Sequence, residues 1–270
     1  KKSSGSENKV IGIIGGSGLE DPKILAEFEE KNLKTPYGAP SGPIIIGKIG
    51  GQKVAILSRH GKKHSISPSN INYRANIWAL KELGVNQILA TSACGSLREK
   101  IKPGNIVFPD QFIDWTKKRE TTFFDQDKVA HIPLAEPFCP VLRKALFETS
   151  KKLGLKVHGK GTVITIEGPR FSTHAESNMF RLLKADIINM STVPECVLAR
   201  EAGICYQVAC LVTDYDSWHS QKEHVNVEMV VKIMKKNAEN AKKLFMQAIP
   251  KIAQAKKTCS CEKDIQTSFI

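Results

Sequence analysis

The chain has 270 residues, 41% of them hydrophobic and 25% charged, which is ordinary for a soluble globular protein with a sizeable core. Its net charge of +13 invites a nucleic-acid footprint, but the lysines fall in scattered pairs such as Lys62-Lys63, Lys151-Lys152 and Lys242-Lys243, without interleaved aromatics, and read as solvated faces of separate elements. No apolar run approaches the ~20 residues of a membrane span, and the polar start Lys1-Lys2-Ser3-Ser4-Gly5-Ser6 lacks the apolar region of a signal peptide, so a cytoplasmic protein is expected.

The first element is an apolar strand, Val10-Ile11-Gly12-Ile13-Ile14, running into Gly15-Gly16-Ser17-Gly18. Glycine amides can converge on an anion there, with the Ser17 hydroxyl as a further donor, although a tight turn without ligand uses the same residues. A dinucleotide fingerprint is excluded, because counting from Gly16 the third glycine falls on Asp21, and no Gly-Lys-Ser/Thr triplet follows for a nucleotide-phosphate loop. Residues 22–30 are expected to start a short helix, ended by Pro36 and Gly38.

Two β-branched runs, 44–48 and 54–58, flank Gly50-Gly51 and predict a hairpin. The second run ends in Arg59-His60, at the strand end where open α/β sheets place ligands. A helix over 76–83 closes at Gly84, and a strand over 87–91 enters a small-residue loop at Ser92-Ala93-Cys94-Gly95-Ser96. Further strands are predicted over 105–108, 162–166, 186–190 and 204–212, with helices over 141–153, 175–183, 195–201 and 227–248. The alternation predicts a single three-layer α/β domain, with a mixed, mostly parallel sheet flanked by helices, over residues 9–254; residues 1–8 and 255–270 read as polar terminal segments.

Of seven cysteines, Cys94, Cys139, Cys196, Cys205 and Cys210 lie in apolar patterns as buried free thiols. Cys259-Ser260-Cys261 lies in the polar tail, where a strained local disulfide and half a metal site are the alternatives; without a second pair at zinc spacing, a solvent-exposed tail is expected.

Several predicted strand ends carry polar residues that sort by role. Ser17, Arg59, His60, Ser92 and Ser191 supply a guanidinium, an imidazole and three hydroxyls, a set suited to a small tetrahedral anion. Thr213-Asp214-Tyr215-Asp216 follows a buried strand, where a carboxyl loses water, its pKa rises and proton donation becomes possible; a helix or turn cap is the alternative. Asn189-Met190-Ser191 ends another strand, as a core methionine beside a helix cap would.

Residues 189–195, 167–177, Arg59-His60, the Gly15–Gly18 loop, Ser92–Ser96 and the run 71–80 together resemble the signature segments of the purine nucleoside phosphorylase family, over about 11–249, and most closely its 5′-methylthioadenosine phosphorylase branch. The branch assignment rests on two departures from the 6-oxopurine enzymes: Ser172 follows Phe171 where those carry a glutamate, and Asp214 stands where they carry an asparagine. Carboxylate acceptors suit a 6-amino purine, whose exocyclic group donates.

The resemblance implies phosphorolysis of 5′-methylthioadenosine to adenine and 5-methylthioribose 1-phosphate, with orthophosphate as a substrate and no cofactor or metal. It implies phosphate at Gly16, Ser17, Arg59, His60, Ser92, Ala93 and Ser191, and purine and ribose at Phe171, Ser172, Asn189, Met190, Thr213, Asp214 and Asp216. Asp214 would be the acid at N7, with Asp216 orienting it or the exocyclic amine; Val227, Val230 and Val231 would form the 5′-methylthio pocket, which His131 enters from a neighbouring subunit of a trimer or dimer of trimers. A broader specificity for adenosine or inosine, a hydrolytic nucleosidase and a basic nucleic-acid-binding module are the rival readings.

Overall fold

The computed structural model describes residues 9–15, 25–219 and 227–270. In chain order its elements are β1 (Val10–Gly15), β2 (Ala26–Lys31), β3 (Ile44–Ile49), β4 (Gln52–Ser58), α1 (Tyr73–Glu82), β5 (Val85–Ser96), β6 (Ile106–Val107) and β7 (Gln111–Trp115). There follow α2 (Pro140–Lys152), β8 (Val157–His158), β9 (Thr162–Ile166), α3 (His174–Leu182), β10 (Ile187–Asn189), α4 (Thr192–Glu201), β11 (Cys205–Asp214) and α5 (Val227–Gln254).

All eleven strands join one mixed sheet, in which β1, β4, β5 and β11 run parallel at the centre and the β3–β4 hairpin and β2 extend one side antiparallel. Successive side chains of a strand alternate between faces. On β1, Ile11 and Ile13 enter a cluster with Leu142 of α2 and Phe245 and Ile249 of α5, whereas Val10 and Ile14 enter one with Ile77 of α1 and Leu198 of α4. Both faces are thus buried, as parallel strands require, and the three-layer α/β expectation is met. A third cluster, Ile164, Ile166, Phe180 and Ile188, seats α3 on β9 and β10.

One irregularity of the sheet positions the site. β1 pairs with β5 only as far as Ala90, and β10 takes over antiparallel at Gly95 and Ser96, while β11 follows the opposite edge of β5 from Gln87 to Gly95. Between the two partners the sheet forks, and residues 91–94 turn one backbone edge toward the gap.

Several local expectations are corrected. Residues 26–31 form β2 rather than a helix, because antiparallel pairing of Glu29, Glu30 and Lys31 with Ile46, Ile45 and Ile44 satisfies the open edge of β3, outweighing local propensity. The Ser92–Ser96 loop is instead the second half of a twelve-residue β5, held by β11 and β10. Neither β7 nor β8 is foreseen, since the first shows no alternation of burial and the second has only two residues. The C-terminal segment is not a free tail: Arg200 pairs with Asp264 at 3.0 Å, and Cys261 is only 2% exposed.

Candidate active site

A cavity of about 530 Å³ opens at the fork, and it gathers residues from β5, β9, β10, β11 and α5 with the loops after β4, β9, β10 and β11. Arg59 follows the last residue of β4 and is 2% exposed. Its Nε donates to Glu195 Oε2 at 2.6 Å, its Nη2 to Glu195 Oε1 at 2.7 Å and its Nη1 to the Thr91 carbonyl at 2.8 Å, using the backbone edge freed at the fork. Tyr206 Oη donates to the same Glu195 at 2.7 Å. Burial alone would lower the guanidinium pKa; the Glu195 charge and hydrogen bonds reverse this and hold it above its usual value. Arg59 is therefore a fixed cation with one orientation.

His60 stands beside it. Its Nδ1 lies 2.8 Å from the Ile66 carbonyl, an acceptor, so Nδ1 carries the proton and Nε2 keeps a lone pair. Burial and the Arg59 charge push the imidazole down to about 4, so it is neutral at physiological pH. Ser92 and Ser191 complete this end: their hydroxyls are 3.0 Å apart, and Asn189 Nδ2 donates to Ser92 Oγ at 3.1 Å. Thr165 Oγ1 donates to Asn189 Oδ1 at 3.0 Å and fixes the amide. Ser191 precedes α4 and makes no side-chain capping bond there, so its hydroxyl is available to the cavity. A cation, a neutral imidazole and two hydroxyls thus converge on one concave surface.

The other end is carboxylic. Asp214 closes β11, is 8% exposed and accepts from Thr213 Oγ1 at 2.6 Å and from the Asp216 amide at 2.7 Å. Burial raises its pKa; the two hydrogen bonds oppose this without cancelling it. Asp216 is likewise raised by burial, and its carboxylate accepts from Ser172 Oγ at 2.7 Å and from Ser177 Oγ at 2.5 Å. The backbone of Asp216, not its carboxylate, therefore orients Asp214. Gly95 permits this arrangement, since a Cβ there would lie 3.0 Å from Asp214 Oδ1 and 3.1 Å from Asp216 Cβ.

Phe171 and Met190 also line the cavity, and Phe171 is 47% exposed. The loop carrying Phe171 passes over Met190 at Gly168, whose φ is +68° and whose Cβ, if present, would sit 2.5 Å from Met190 Sδ. Glu167 turns away from the cavity to accept from the amides of Lys117 and Lys118, at 2.6 and 3.1 Å; burial would raise it, but these bonds, Ser69 and Arg119 hold it at about 2.

Of the residues expected at a site, Arg59, His60, Ser92, Ala93, Ser191, Phe171, Ser172, Asn189, Met190, Thr213, Asp214 and Asp216 all line this one cavity. Gly16 and Ser17 lie outside the described residues, as do the side chains of Val227 and Val230. Val231 is 47% exposed, and Met234 is the described α5 residue that reaches the lining. His131 is exposed on the surface, where its amide donates to the Ser268 carbonyl at 2.7 Å. Sequence reasoning missed Glu195 and Arg119: the side chain of the latter, 1% exposed, donates to the Val193 carbonyl at 2.6 Å and to the Glu167 carbonyl at 2.8 Å, tying the start of α4 to the loop after β9. An acid three residues into α4 reads as a helix-start residue, so nothing local singles Glu195 out.

Residues 10–250 match the phosphorylase superfamily. The S-methyl-5′-thioadenosine phosphorylase of Xenopus tropicalis is 56% identical over 249 residues, 90% of this chain and 89% of that one. The methylthioadenosine phosphorylase of Schistosoma mansoni, solved in complex with adenine, superposes with a TM-score of 0.92 at 39% identity, covering 96% of this chain and 98% of that one. A mutant of an adenosine/methylthioadenosine phosphorylase from the same organism, in complex with methylthioadenosine, superposes with a TM-score of 0.91 at 38% identity, over 96% and 98% of the two chains.

Proposed function

The chain belongs to the phosphorylase superfamily, and we propose that it cleaves 5′-methylthioadenosine with orthophosphate to adenine and 5-methylthioribose 1-phosphate. The observation that carries this reading is a single cavity with an anion-binding end and a buried, pKa-raised carboxyl at the other.

Orthophosphate is placed against Arg59, His60, Ser92, Ala93 and Ser191, with Gly16 and Ser17 as further donors. The fixed guanidinium and the serine hydroxyls donate, while neutral His60 accepts at Nε2 from a protonated phosphate oxygen. The adenine lies between Phe171 and the Asp214 end, and Met190 packs beneath the ribose. As the C1′–N9 bond breaks, its electron pair moves onto the purine and positive charge develops on the sugar. The neighbouring phosphate stabilises that charge, and one of its oxygens then bonds to C1′. Asp214 stabilises the departing purine by delivering a proton or a hydrogen bond at N7. Ser172 in place of an acid removes a group that would recognise an N1–H donor, which favours the 6-amino base. Orthophosphate is a substrate, and the bond exchange uses no organic cofactor or metal.

We read the active unit as a trimer or a dimer of trimers, with His131 reaching a neighbour's 5′ pocket beside Val227, Val230 and Val231. Supporting this, Val129 and Phe269 are 53% and 43% exposed beside His131, forming an apolar rim. A cytoplasmic setting agrees with the free buried thiols Cys94, Cys196 and Cys210. Adenosine as a second substrate is the alternative favoured by the name of the S. mansoni relative.

Methylthioadenosine incubated with the protein in phosphate-free buffer, then with added orthophosphate, tests the reading. Adenine release should require phosphate; release that ignores phosphate would point to a hydrolase, and salt-sensitive DNA binding without release to the nucleic-acid module.

A further inference from the structure

At the end of β11 remote from Asp214, four sulfurs meet that the reaction does not use. Cys139, the residue before α2, and Cys205, the first of β11, are 1% and 0% exposed. From the C-terminal segment, Cys259 and Cys261 reach the same point, and the four Sγ atoms all lie within 4.8 Å of one another. The contact between Cys205 and Cys259 is 3.4 Å, so it is core sulfur against tail sulfur. The second pair that zinc spacing lacks in the sequence is thus supplied by the fold, from positions 120 and 54 residues before Cys259 (259 − 139 and 259 − 205).

We propose that Cys139, Cys205, Cys259 and Cys261 form a structural tetrathiolate site for a soft, tetrahedral divalent cation of the zinc class. A zinc–sulfur bond of about 2.3 Å sets tetrahedral edges of about 3.8 Å; the Cys205–Cys259 contact of 3.4 Å and the 4.8 Å ceiling on every other separation leave room for that geometry. Four thiolates and a divalent cation leave two net negative charges, which need cations nearby. Arg200, 4% exposed, acts on Cys261, and Lys257 on Cys205 and Cys259. The N-terminal end of α2, which Cys139 immediately precedes, favours negative charge on that sulfur as well.

The ligands tie the tail to the layer of α2 and β11. From there the tail runs through Asp264, held by Arg200, to Ser268, whose carbonyl accepts from the His131 amide, and to Phe269, bridged to Ala130. Metal would therefore stabilise the docked tail and the 129–131 segment, while nine residue steps of β11 (214 − 205) at ~3.3 Å put the cluster about 30 Å from Asp214.

The test is metal analysis of the full chain, purified under reducing conditions without chelator, followed by replacement with Co²⁺. One zinc per chain and the visible bands of a tetrahedral cobalt thiolate are expected, with both lost in Cys261→Ser and in the milder Cys259→Ser. Full-length protein that takes up neither metal while its thiols are reduced overturns the proposal, and so does recovery of the four cysteines as two disulfides with no metal bound. Both readouts are made on the unmodified chain, so they stand even where a serine variant fails to fold.

Discussion

Glu195→Ala is the perturbation that most directly separates the scaffold from the chemistry. Glu195 is fully buried and binds Arg59 through two hydrogen bonds of 2.6 and 2.7 Å, with a third hydrogen bond from Tyr206. Removing it leaves a guanidinium that is 2% exposed without its counter-charge. Breaking a buried pair from one side costs about 3–5 kcal/mol, which at ~2–4 °C of Tm per kcal/mol is a fall of about 6–20 °C. The chain should remain folded at room temperature, because total stabilities run to ~5–15 kcal/mol. Catalysis should change selectively: a loosened Arg59 loses charge-assisted bonds to phosphate, about 1.5–3 kcal/mol, so the phosphate KM should rise roughly 10- to 100-fold while the nucleoside KM changes little. Thermal denaturation by circular dichroism and initial rates against phosphate at saturating nucleoside measure both effects. Glu195→Gln, which keeps one acceptor for Arg59, should fall between Ala and the parent. An unchanged Tm together with a phosphate KM within twofold of the parent would refute the assignment of Arg59 to phosphate through Glu195.

Asp214→Asn should lower kcat for methylthioadenosine by about 10²–10⁴, the usual worth of a positioned acid, with the phosphate KM nearly unchanged; steady-state rates in both substrates decide it, and parental turnover would refute the acid role. His60 gives a pH signature. Its folded value of about 4 lies below the ordinary ~6.5 of an unfolded histidine, so the unfolded chain binds the proton first. Its contribution to stability is therefore complete above pH ~6.5 and is lost as pH falls toward about 4; Tm followed over that window should drop less in His60→Asn than in the parent. Gly168→Ala should reduce both stability, by about 1–3 kcal/mol, and kcat/KM, because the new Cβ meets Met190 Sδ at 2.5 Å in a backbone with φ +68°; a variant equal to the parent in Tm and rate would show that the loop is not held against Met190.

The parts of the molecule legible in the sequence are those where one local pattern carries one meaning. Continuous apolar runs such as 10–14 and 205–212 mark strands buried on both faces, and glycine pairs such as Gly50-Gly51, both at positive φ, mark a turn. Polar residues at strand ends marked the site for the same reason, since nothing in a buried strand calls for Arg59 or Asp214 unless something meets them there. What depends on pairing across the chain was not legible. β2 exists because β3 has an open edge, the fork exists because β1 stops short of β10, and Glu195 matters because Arg59, 136 residues earlier, points at it. The cysteines teach the same lesson: Cys259-x-Cys261 reads as part of a solvent-exposed tail until the fold brings Cys139 and Cys205 beside it.

Phosphorolysis in the cavity between Arg59 and Asp214 requires that orthophosphate, not water, capture the sugar carbon. Running the reaction in heavy-oxygen-labelled orthophosphate and ordinary water, and weighing the sugar product by mass spectrometry, tests it most directly. One methylthioribose 1-phosphate per adenine released is expected, with every label of the phosphate retained, including the oxygen bonded to C1′. Unlabelled free methylthioribose formed at the same rate as adenine would contradict it.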